Sequence, residues 1–177
     1  MKFEEKKCNF LEIPKEEKMS RVLVLTCDGN IKGRTPVFWD YVRRYPISDL
    51  DTELAKEKFQ AMMKYQRNEP VNAFLAGSYG ISYVCQFTEE VPYKSLALLM
   101  CPTVASKVSE PDMYRAIYDF LWWMRINDTY KIILPRPNGD GLSWDFIKTS
   151  FMASGKEISM SYPVFYDKLD ILATYRI

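Results

Sequence analysis

The stretch that decides the fold is residues 130–145, which read YKIILPRPNGDGLSWD. An apolar run of β type ends in Pro-Arg-Pro and meets a loop that carries Gly139 and Gly141. That loop leads into a helix predicted over residues 143–153, with Ser143 as its N-cap. This arrangement favours phosphate binding, because glycine lets the backbone approach the ligand and free N–H groups at a helix start meet negative charge. An ordinary β-to-α turn is the alternative, since two glycines do not make a complete nucleotide-binding fingerprint.

Length, composition and charge predict one compact domain over residues 1–177. Hydrophobic residues make up 47% of the chain and aromatic residues 15%, which argues against disorder. The 24 basic and 23 acidic side chains give a net charge of +1, so overall charge gives no reason to expect nucleic acid or a membrane surface. The sequence shows neither a membrane-spanning run nor a signal peptide, and its four scattered cysteines suit reduced thiols. We therefore expect a cytoplasmic protein without membrane association.

The absence of histidine excludes several kinds of site. Without imidazole there is no Ser-His-Asp triad, no Cys-His pair and no histidine metal ligand in this chain. The cysteines also lack the paired spacing of a zinc site. We therefore predict no metal and no cofactor, and any acid–base chemistry would fall to carboxylates, lysine, tyrosine or water.

Predicted strands and helices alternate along the chain. Hydrophobic periodicity and turn residues predict strands over residues 21–26, 71–76, 80–87, 95–100, 130–134, 158–162 and 169–175. They predict helices over residues 37–45, 49–66, 112–125 and 143–153. Strands 71–76 and 80–87 are expected to form a hairpin, and Ser109 is expected to cap the aromatic-rich helix 112–125, whose rings are assigned mainly to core packing. The alternation predicts an α/β fold with a mixed sheet covered on both faces.

Three loops are expected at the C-terminal ends of strands, over residues 27–35, 101–108 and 135–143. In open α/β sheets, ligands bind in the crevice outside those ends. Two of the loops carry glycines, and the first also carries Lys32 and Arg34. A phosphate-bearing small molecule is the ligand that this chemistry favours.

Three segments resemble the macro domain, the ADP-ribose-binding α/β/α module. Residues 21–33, RVLVLTCDGNIKG, resemble its first long strand and Asn/Gly-rich loop. Residues 98–104, LLMCPTV, followed by residues 112–116, DMYRA, resemble the strand, PT turn and helix of one macro-like branch. Residues 132–144 resemble its phosphate loop, written PRxGxGxGxxxW. The resemblance implies a divergent member with a three-layer α/β/α fold and a central mixed β-sheet.

The resemblance also implies ligand-binding roles. The loop after the last of these strands would hold a diphosphate through its backbone N–H groups, and the Asn/Gly-rich loop would wrap the distal ribose and its phosphate. Arg136 would pair with phosphate, although a surface ion pair is an equal alternative for that side chain. The implied ligand-binding residues are Asn9, Cys27, Gly29, Asn30, Lys32, Gly33, Arg34, Thr103, Arg136, Asn138, Gly139, Gly141 and Leu142.

The base-binding end departs from the family pattern. Macro domains place an aspartate near the end of the first strand, where it reads the adenine amine, and the nearest candidates here are Asn9 and Glu12. Asparagine can still hydrogen-bond adenine. An aromatic ring from Tyr162, Phe165 or Tyr166 is a candidate for stacking on the base, with buried packing as the alternative for each.

The candidate catalytic residues also differ from the family pattern. One macro-like branch uses a lysine after a central strand, but Glu89 occupies that position here and Lys94 is only a distant substitute. Asp28 and Asp140 are candidate carboxylates for activating water, with solvated turn aspartates as the alternative.

Three functions follow from these patterns. The first is binding of ADP-ribose or a related nucleotide, free or attached to a protein or nucleic acid. The second is hydrolysis that removes ADP-ribose from a protein, nucleic acid or metabolite. The third is an interaction domain whose pocket is closed by Phe38 and Trp39. The histidine-free, Met- and Tyr-rich composition with few glycines would suit a phage or low-GC microbial protein. A phage protein of this kind would act in the host cytoplasm and counter an ADP-ribose-based defence.

Overall fold

The computed structural model describes residues 1–27, 37–45, 81–86, 92–100, 103–104, 107–108, 110–137 and 143–175. The strands are β1 (Lys2–Lys7), β2 (Val22–Cys27), β3 (Ile81–Gln86), β4 (Ser95–Met100), β5 (Thr103–Val104), β6 (Lys107–Val108), β7 (Lys131–Pro135) and β8 (Asp170–Tyr175). The helices are α1 (Lys15–Met19), α2 (Val37–Arg44), α3 (Glu110–Ile126), α4 (Trp144–Ser159) and α5 (Phe165–Lys168), and a 3₁₀ turn spans Phe10–Glu12.

Six strands form one twisted sheet in the order β1-β8-β7-β2-β4-β3. The first five strands of this order run parallel to one another. The last strand, β3, pairs antiparallel with β4, with Ile81 opposite Met100. The five parallel strands therefore end at the same edge of the sheet, where the last residues of β7, β2 and β4 lie side by side. The predicted mixed sheet is confirmed.

The two faces of the sheet are covered by different helices. Val22 and Val24 of β2 join a fully buried cluster with residues of α3 and α4, which pack against each other on that face. Leu23 and Leu25 are equally buried but point the other way, because successive strand residues alternate between faces. Helix α2 packs on β2 outside that first cluster. The predicted three-layer α/β/α arrangement is confirmed.

Helix α4 differs from its prediction in length. Ser143 is its N-cap as predicted, since its Oγ accepts a hydrogen bond from the Phe146 N–H at 3.2 Å. The helix then continues to Ser159, so the strand predicted over residues 158–162 is wrong. Ile147, Phe151, Ser154 and Ile158 are buried at helical spacing, and burial of this one stripe extends the helix past the predicted end.

Strand β1 has no counterpart in the sequence prediction. Its sequence, KFEEKK, is almost wholly charged and exposed, and only Phe3 is partly buried. The strand lies at the edge of the sheet and pairs in parallel with β8, a position at which charged side chains are common because they discourage further pairing.

Several expectations lie outside the described residues. They are the helix over residues 49–66, the strand over residues 71–76 with its hairpin, and the Ser109 cap. Helix α3 begins at Glu110, two residues before its predicted start. Within the described part of the chain, no helix combines the length and apolar character needed to cross a bilayer.

Arg21 ties three strands together at the start of β2. Its guanidinium Nη1 donates to the Ile132 carbonyl of β7 at 3.2 Å and to Asp170 Oδ1 of β8 at 3.1 Å. Its Nη2 donates to Asp170 Oδ2 at 3.2 Å, and its Nε donates to Glu17 Oε2 at 2.9 Å. The side chain is buried, so these bonds satisfy a cation that water cannot reach.

Candidate functional site

A small crevice lies at the edge where the parallel strands end, and the described residues leave a cavity of about 10 Å³ there, roughly the space of one water molecule. It lies between the residues that follow β1, the first turn of α2, and the ends of β7 and β8. Its walls come from Cys8, Asn9, Phe10, Val37, Asp40, Pro135, Arg136, Thr174 and Tyr175. Four separate parts of the chain therefore meet in the place where α/β folds of this kind bind ligands.

Asn9 is the polar group on the β1 side of the crevice. Its Oδ1 accepts a hydrogen bond from the Leu11 N–H at 3.0 Å, which caps the 3₁₀ turn. A carboxamide oxygen has a second lone pair, and its NH₂ group supplies two donors. The capping bond therefore fixes the side chain, and the second oxygen lone pair and the NH₂ donors can still bind a ligand.

The turn after Asn9 is held from behind by two buried side chains. Tyr93 Oη donates to the Phe10 carbonyl at 3.1 Å, and Lys18 Nζ donates to the Leu11 carbonyl. The same ammonium group lies 5.4 Å from the centre of the Tyr93 ring, within cation–π range. These contacts make the crevice wall a pre-formed surface.

Burial shifts the pKa values of the groups behind this wall. Desolvation, with Arg44 nearby, lowers the pKa of Lys18 from its usual range. Desolvation also raises the pKa of Tyr93 far above its usual value, with a further contribution from Tyr45. Cys8 carries a free thiol whose pKa is raised by burial, so it is a weak nucleophile at neutral pH.

Arg136 is the cation of the crevice. Its backbone N–H donates to the Thr174 carbonyl at 2.7 Å, which extends the β7–β8 ladder past Pro135. Its side chain is exposed, and among the described residues no carboxylate forms an ion pair with it. The surface ion pair considered as the alternative is therefore not formed within that part of the chain, and the guanidinium can meet an anion.

Asp40 is a crevice residue that the sequence analysis missed. It lies in the first turn of α2, is only 6% exposed, and its Oδ1 lies 3.9 Å from Arg43 Nη1. The sequence signal was weak, because an acidic residue in the first turn of a helix is favoured by the helix dipole and does not by itself indicate a site. The crevice thus has a carboxylate as well as a guanidinium in its walls.

The start of α4 is anchored to β1 beside the predicted phosphate loop. Trp144, the last residue of the resembling motif, donates from its indole Nε1 to Glu5 Oε1 at 3.1 Å, and its ring lies 6.4 Å from that of Phe3. Lys148 Nζ lies 3.4 Å from Glu5 Oε1 and 3.4 Å from Asp145 Oδ1. Trp144 thus fixes the helix start, and Lys148 offsets a carboxylate that would repel an anion there.

The structure brings together part of the predicted site. Asn9 and Arg136 line the crevice. Cys27 ends β2, and Thr103 begins β5 shortly after β4 ends. The remaining predicted site residues lie outside the described residues: Asp28, Gly29, Asn30, Lys32, Gly33, Arg34, Asn138, Gly139, Asp140, Gly141 and Leu142.

The candidates for base stacking and for the missing lysine lie at the opposite edge of the sheet, where the parallel strands begin. Helix α5 leads into the start of β8, so Phe165 and Tyr166 are at the far end of that strand, and Phe165 is in the core. Tyr162 contacts Trp122 instead. The aromatic residues that line the crevice are Tyr175, at the end of β8, and the buried Phe10. Lys94 precedes β4 and lines a groove at this same opposite edge, so it does not replace the missing lysine.

Comparison with known proteins gives a consistent result for the fold. The macrodomain of DarG from Thermus aquaticus superposes with a TM-score of 0.59 at 14% identity, covering 97% of this chain and 97% of that one. The Mycobacterium tuberculosis DarG macrodomain gives a TM-score of 0.59 at 14% identity, covering 97% and 96%. A macrodomain protein from Streptomyces coelicolor gives 0.60 at 15%, covering 98% of both chains. The sequence itself matches no protein-family profile and no curated protein.

Proposed function

We propose that this chain, which has the fold of a macrodomain, binds ADP-ribose or a related phosphate-bearing nucleotide in the crevice at the strand ends. One observation carries the proposal. Asn9 and Arg136 lie 127 residues apart in the sequence (136 − 9), yet both line a single crevice at the sheet edge where β7 and β8 end. The macrodomain fold of the solved neighbours supports it.

The two ends of the ligand would meet different chemistry. Arg136 has an exposed guanidinium that forms no ion pair with any carboxylate in the described part of the chain, and it suits a phosphate, since its planar fork matches two oxygens at once. Backbone N–H groups of residues 139–142 would complete the diphosphate contact. Asn9 and the ring of Tyr175 would meet the base, and residues 29–34 would wrap the distal ribose.

The test is isothermal titration of the purified protein with ADP-ribose, with AMP as the comparison ligand. We expect binding in the micromolar range for ADP-ribose and weaker binding for AMP, which lacks the second phosphate and the distal ribose. Gly141→Glu places a carboxylate in the predicted phosphate loop and should abolish the heat of binding. Absence of heat with both ligands, together with no thermal shift, would leave the closed-pocket alternative.

A pair of arginine variants locates the site. Arg136→Ala should weaken ADP-ribose binding about tenfold or more, because a hydrogen bond to a charged group is worth about 1.5–3 kcal/mol. Arg125→Ala removes a guanidinium from the far end of α3 and should leave the affinity unchanged. Equal losses in the two variants would show that general charge, and not the crevice, attracts the nucleotide.

Hydrolysis is the second candidate, and Asp40 favours it. A carboxylate that is almost fully buried in the wall of a nucleotide crevice is suited to orient or activate water. Asp28 and Asp140 remain predicted catalytic residues, and the acceptor would be an ADP-ribosylated protein, nucleic acid or metabolite.

The hydrolysis test measures release of ADP-ribose from a mono-ADP-ribosylated protein and from an ADP-ribosylated oligonucleotide. Asp40→Asn, Asp28→Ala and Asp140→Ala are compared with the unaltered chain, and each is titrated with ADP-ribose as a control for folding. Loss of turnover with retained binding identifies the carboxylate that acts in the reaction. Tight binding without turnover in the unaltered chain would make it a reader of ADP-ribose.

A further inference from the structure

An exposed apolar surface lies at the end of the molecule opposite the crevice. Of the five large hydrophobic side chains that are exposed among the described residues, four are Ile126, Met160, Tyr162 and Val164. They occupy the end of α3 and the turn after α4, and Met160 is 84% exposed. We call this surface, together with Trp122 and Arg125, the apolar corner.

Two contacts connect three residues of the apolar corner, Trp122, Arg125 and Tyr162. The Arg125 guanidinium lies 3.9 Å from the centre of the Tyr162 ring, and the Trp122 ring meets Tyr162 edge-on at 5.6 Å. These contacts join the end of α3 to the turn after α4. The corner combines tryptophan, tyrosine, methionine and arginine, the residue types that are enriched at the centres of protein–protein interfaces.

A basic groove adjoins the apolar corner. Lys94, Lys131 and Lys168 come from three separate elements and line one concavity at the N-terminal ends of the parallel strands. Its acidic residue, Asp128, accepts a hydrogen bond from Tyr130 Oη at 2.7 Å. Within the described part of the chain, none of the three lysines forms an ion pair. Lys131 lies close enough to Glu17 to help lower the pKa of that carboxyl, after the larger effect of its hydrogen bond to Arg21. The groove therefore offers three lysines against the one acidic residue of its lining, Asp128.

The groove and the corner are linked through one aromatic contact. Tyr130 lines the groove below Lys168, whose Nζ lies 5.0 Å from the centre of the ring. The same ring lies 6.0 Å from Phe165, whose backbone N–H donates to the Tyr162 carbonyl of the corner at 2.9 Å. An extended ligand could touch both surfaces at once.

We propose that the apolar corner and the basic groove form a docking surface for an acidic segment of another protein that carries apolar side chains. The apolar residues of the segment would cover Met160, Val164 and Ile126, and its carboxylates would meet the lysines. Charge complementarity carries this assignment. The charged residue of the apolar corner is the cation Arg125, the groove adds the cations of Lys94, Lys131 and Lys168, and carboxylates are the groups that complement them.

A protein segment fits this surface better than nucleic acid does. Single-stranded nucleic acid needs open aromatic faces for base stacking, but Arg125 covers one face of Tyr162 and Trp122 meets that ring edge-on. The most exposed side chains are aliphatic or thioether groups, which suit apolar protein side chains. A second copy of the chain fits worse, because an isologous contact would bring like charges together.

The first experiment selects partners without assuming their sequence. A phage-displayed library of random dodecamer peptides is panned on the unaltered chain, with the chain carrying Met160→Asp as a counter-selection. We expect the enriched peptides to combine Asp or Glu with Leu, Phe or Trp. An enriched pool without acidic residues, or one retained equally by the Met160→Asp chain, would overturn the proposal.

The second experiment measures affinity by fluorescence anisotropy with the most enriched labelled peptide. Met160→Asp and Lys168→Glu should each weaken binding about tenfold or more, as charged substitutions at an interface centre do. Ala153→Asp adds the same charge at another exposed position of α4 and should change affinity little. Equal loss in the Ala153→Asp control would overturn the proposed location.

Two further measurements distinguish the proposed protein segment from nucleic acid and from a second copy of the chain. Tighter binding of labelled oligothymidylate than of the peptide, lost on Lys168→Glu, would assign the surface to nucleic acid and overturn the proposal. A concentration-dependent dimer in sedimentation velocity that Met160→Asp abolishes would assign it to a second copy and overturn it equally. ADP-ribose titration of the Met160→Asp chain should match the unaltered chain, since the crevice lies at the other end of the strands.

Discussion

Replacing Arg21 by methionine should destabilise the fold by about 3 kcal/mol, because it leaves the Asp170 carboxylate without its cation. The guanidinium donates to both oxygens of Asp170, at 3.1 and 3.2 Å, and to the carbonyls of Ile132 and Asp170, at 3.2 and 3.3 Å. Methionine preserves most of the apolar stem of the side chain but supplies none of these donors.

The magnitude follows from the burial of each partner. Breaking a buried ion pair on one side costs about 3–5 kcal/mol. The Asp170 side chain keeps 16% exposure, which places the expected loss at the lower end of that range. The bond to Glu17 adds less than about 1 kcal/mol, since that carboxylate is half exposed and screened by water.

The assay is urea unfolding followed by tryptophan fluorescence. Arg115→Met is the matched control, because Arg115 is exposed on α3, and its loss should change the free energy of unfolding by less than about 0.5 kcal/mol. The double variant Arg21→Met with Asp170→Leu should recover much of the lost stability, since no buried charge is then left alone. A loss below about 1 kcal/mol in Arg21→Met would refute the reasoning. Well below its unfolding midpoint, the variant should bind ADP-ribose normally.

Three further changes test other parts of the structure. Tyr93→Phe should cost about 1 kcal/mol at neutral pH, because it leaves the Phe10 carbonyl without its donor. Burial raises the pKa of Tyr93, so its stabilising contribution is present below the usual tyrosine pKa of about 10 and is lost as pH rises above it. Above that pH, the thermal midpoint should fall more steeply in the unaltered chain than in Tyr93→Phe, and parallel curves would contradict this. Gly155→Ala should destabilise by about 1 kcal/mol in urea unfolding, because the new Cβ would lie 2.8 Å from Cδ1 of the buried Leu169, and a gain in stability would show that the site has room. Asn9→Asp keeps the capping oxygen and adds a charged acceptor for an adenine amine, so titration should show ADP-ribose binding about fivefold tighter, and weaker binding would mean that the base does not meet this residue.

Much of the fold was predictable because it is encoded locally. The apolar runs of β2, β4 and β7 carry their own β signal, and the hydroxyl of Ser143 satisfies an N–H only three residues away. The common edge at which these strands end follows from their parallel order, so the position of the crevice was also predictable. Asn9 and Arg136 were named from a motif resemblance, and both line the crevice.

Other features depend on contacts between residues far apart in the chain. Strand β1 carries almost no apolar signal and exists through pairing with β8, which lies near the other end of the sequence. Asp40 reads as a surface residue until α2 packs on β2 and buries it.

Local sequence was enough to establish strands β2, β4 and β7 and the Ser143 helix cap, because hydrophobic periodicity and capping act within a few residues. Only the tertiary structure decided that residues 158–162 end a helix and turn instead of forming a strand, and that Met160 and Tyr162 are exposed beside Arg125. The physical reason is that the burial of a side chain, and the charges beside it, depend on which distant parts of the chain pack together.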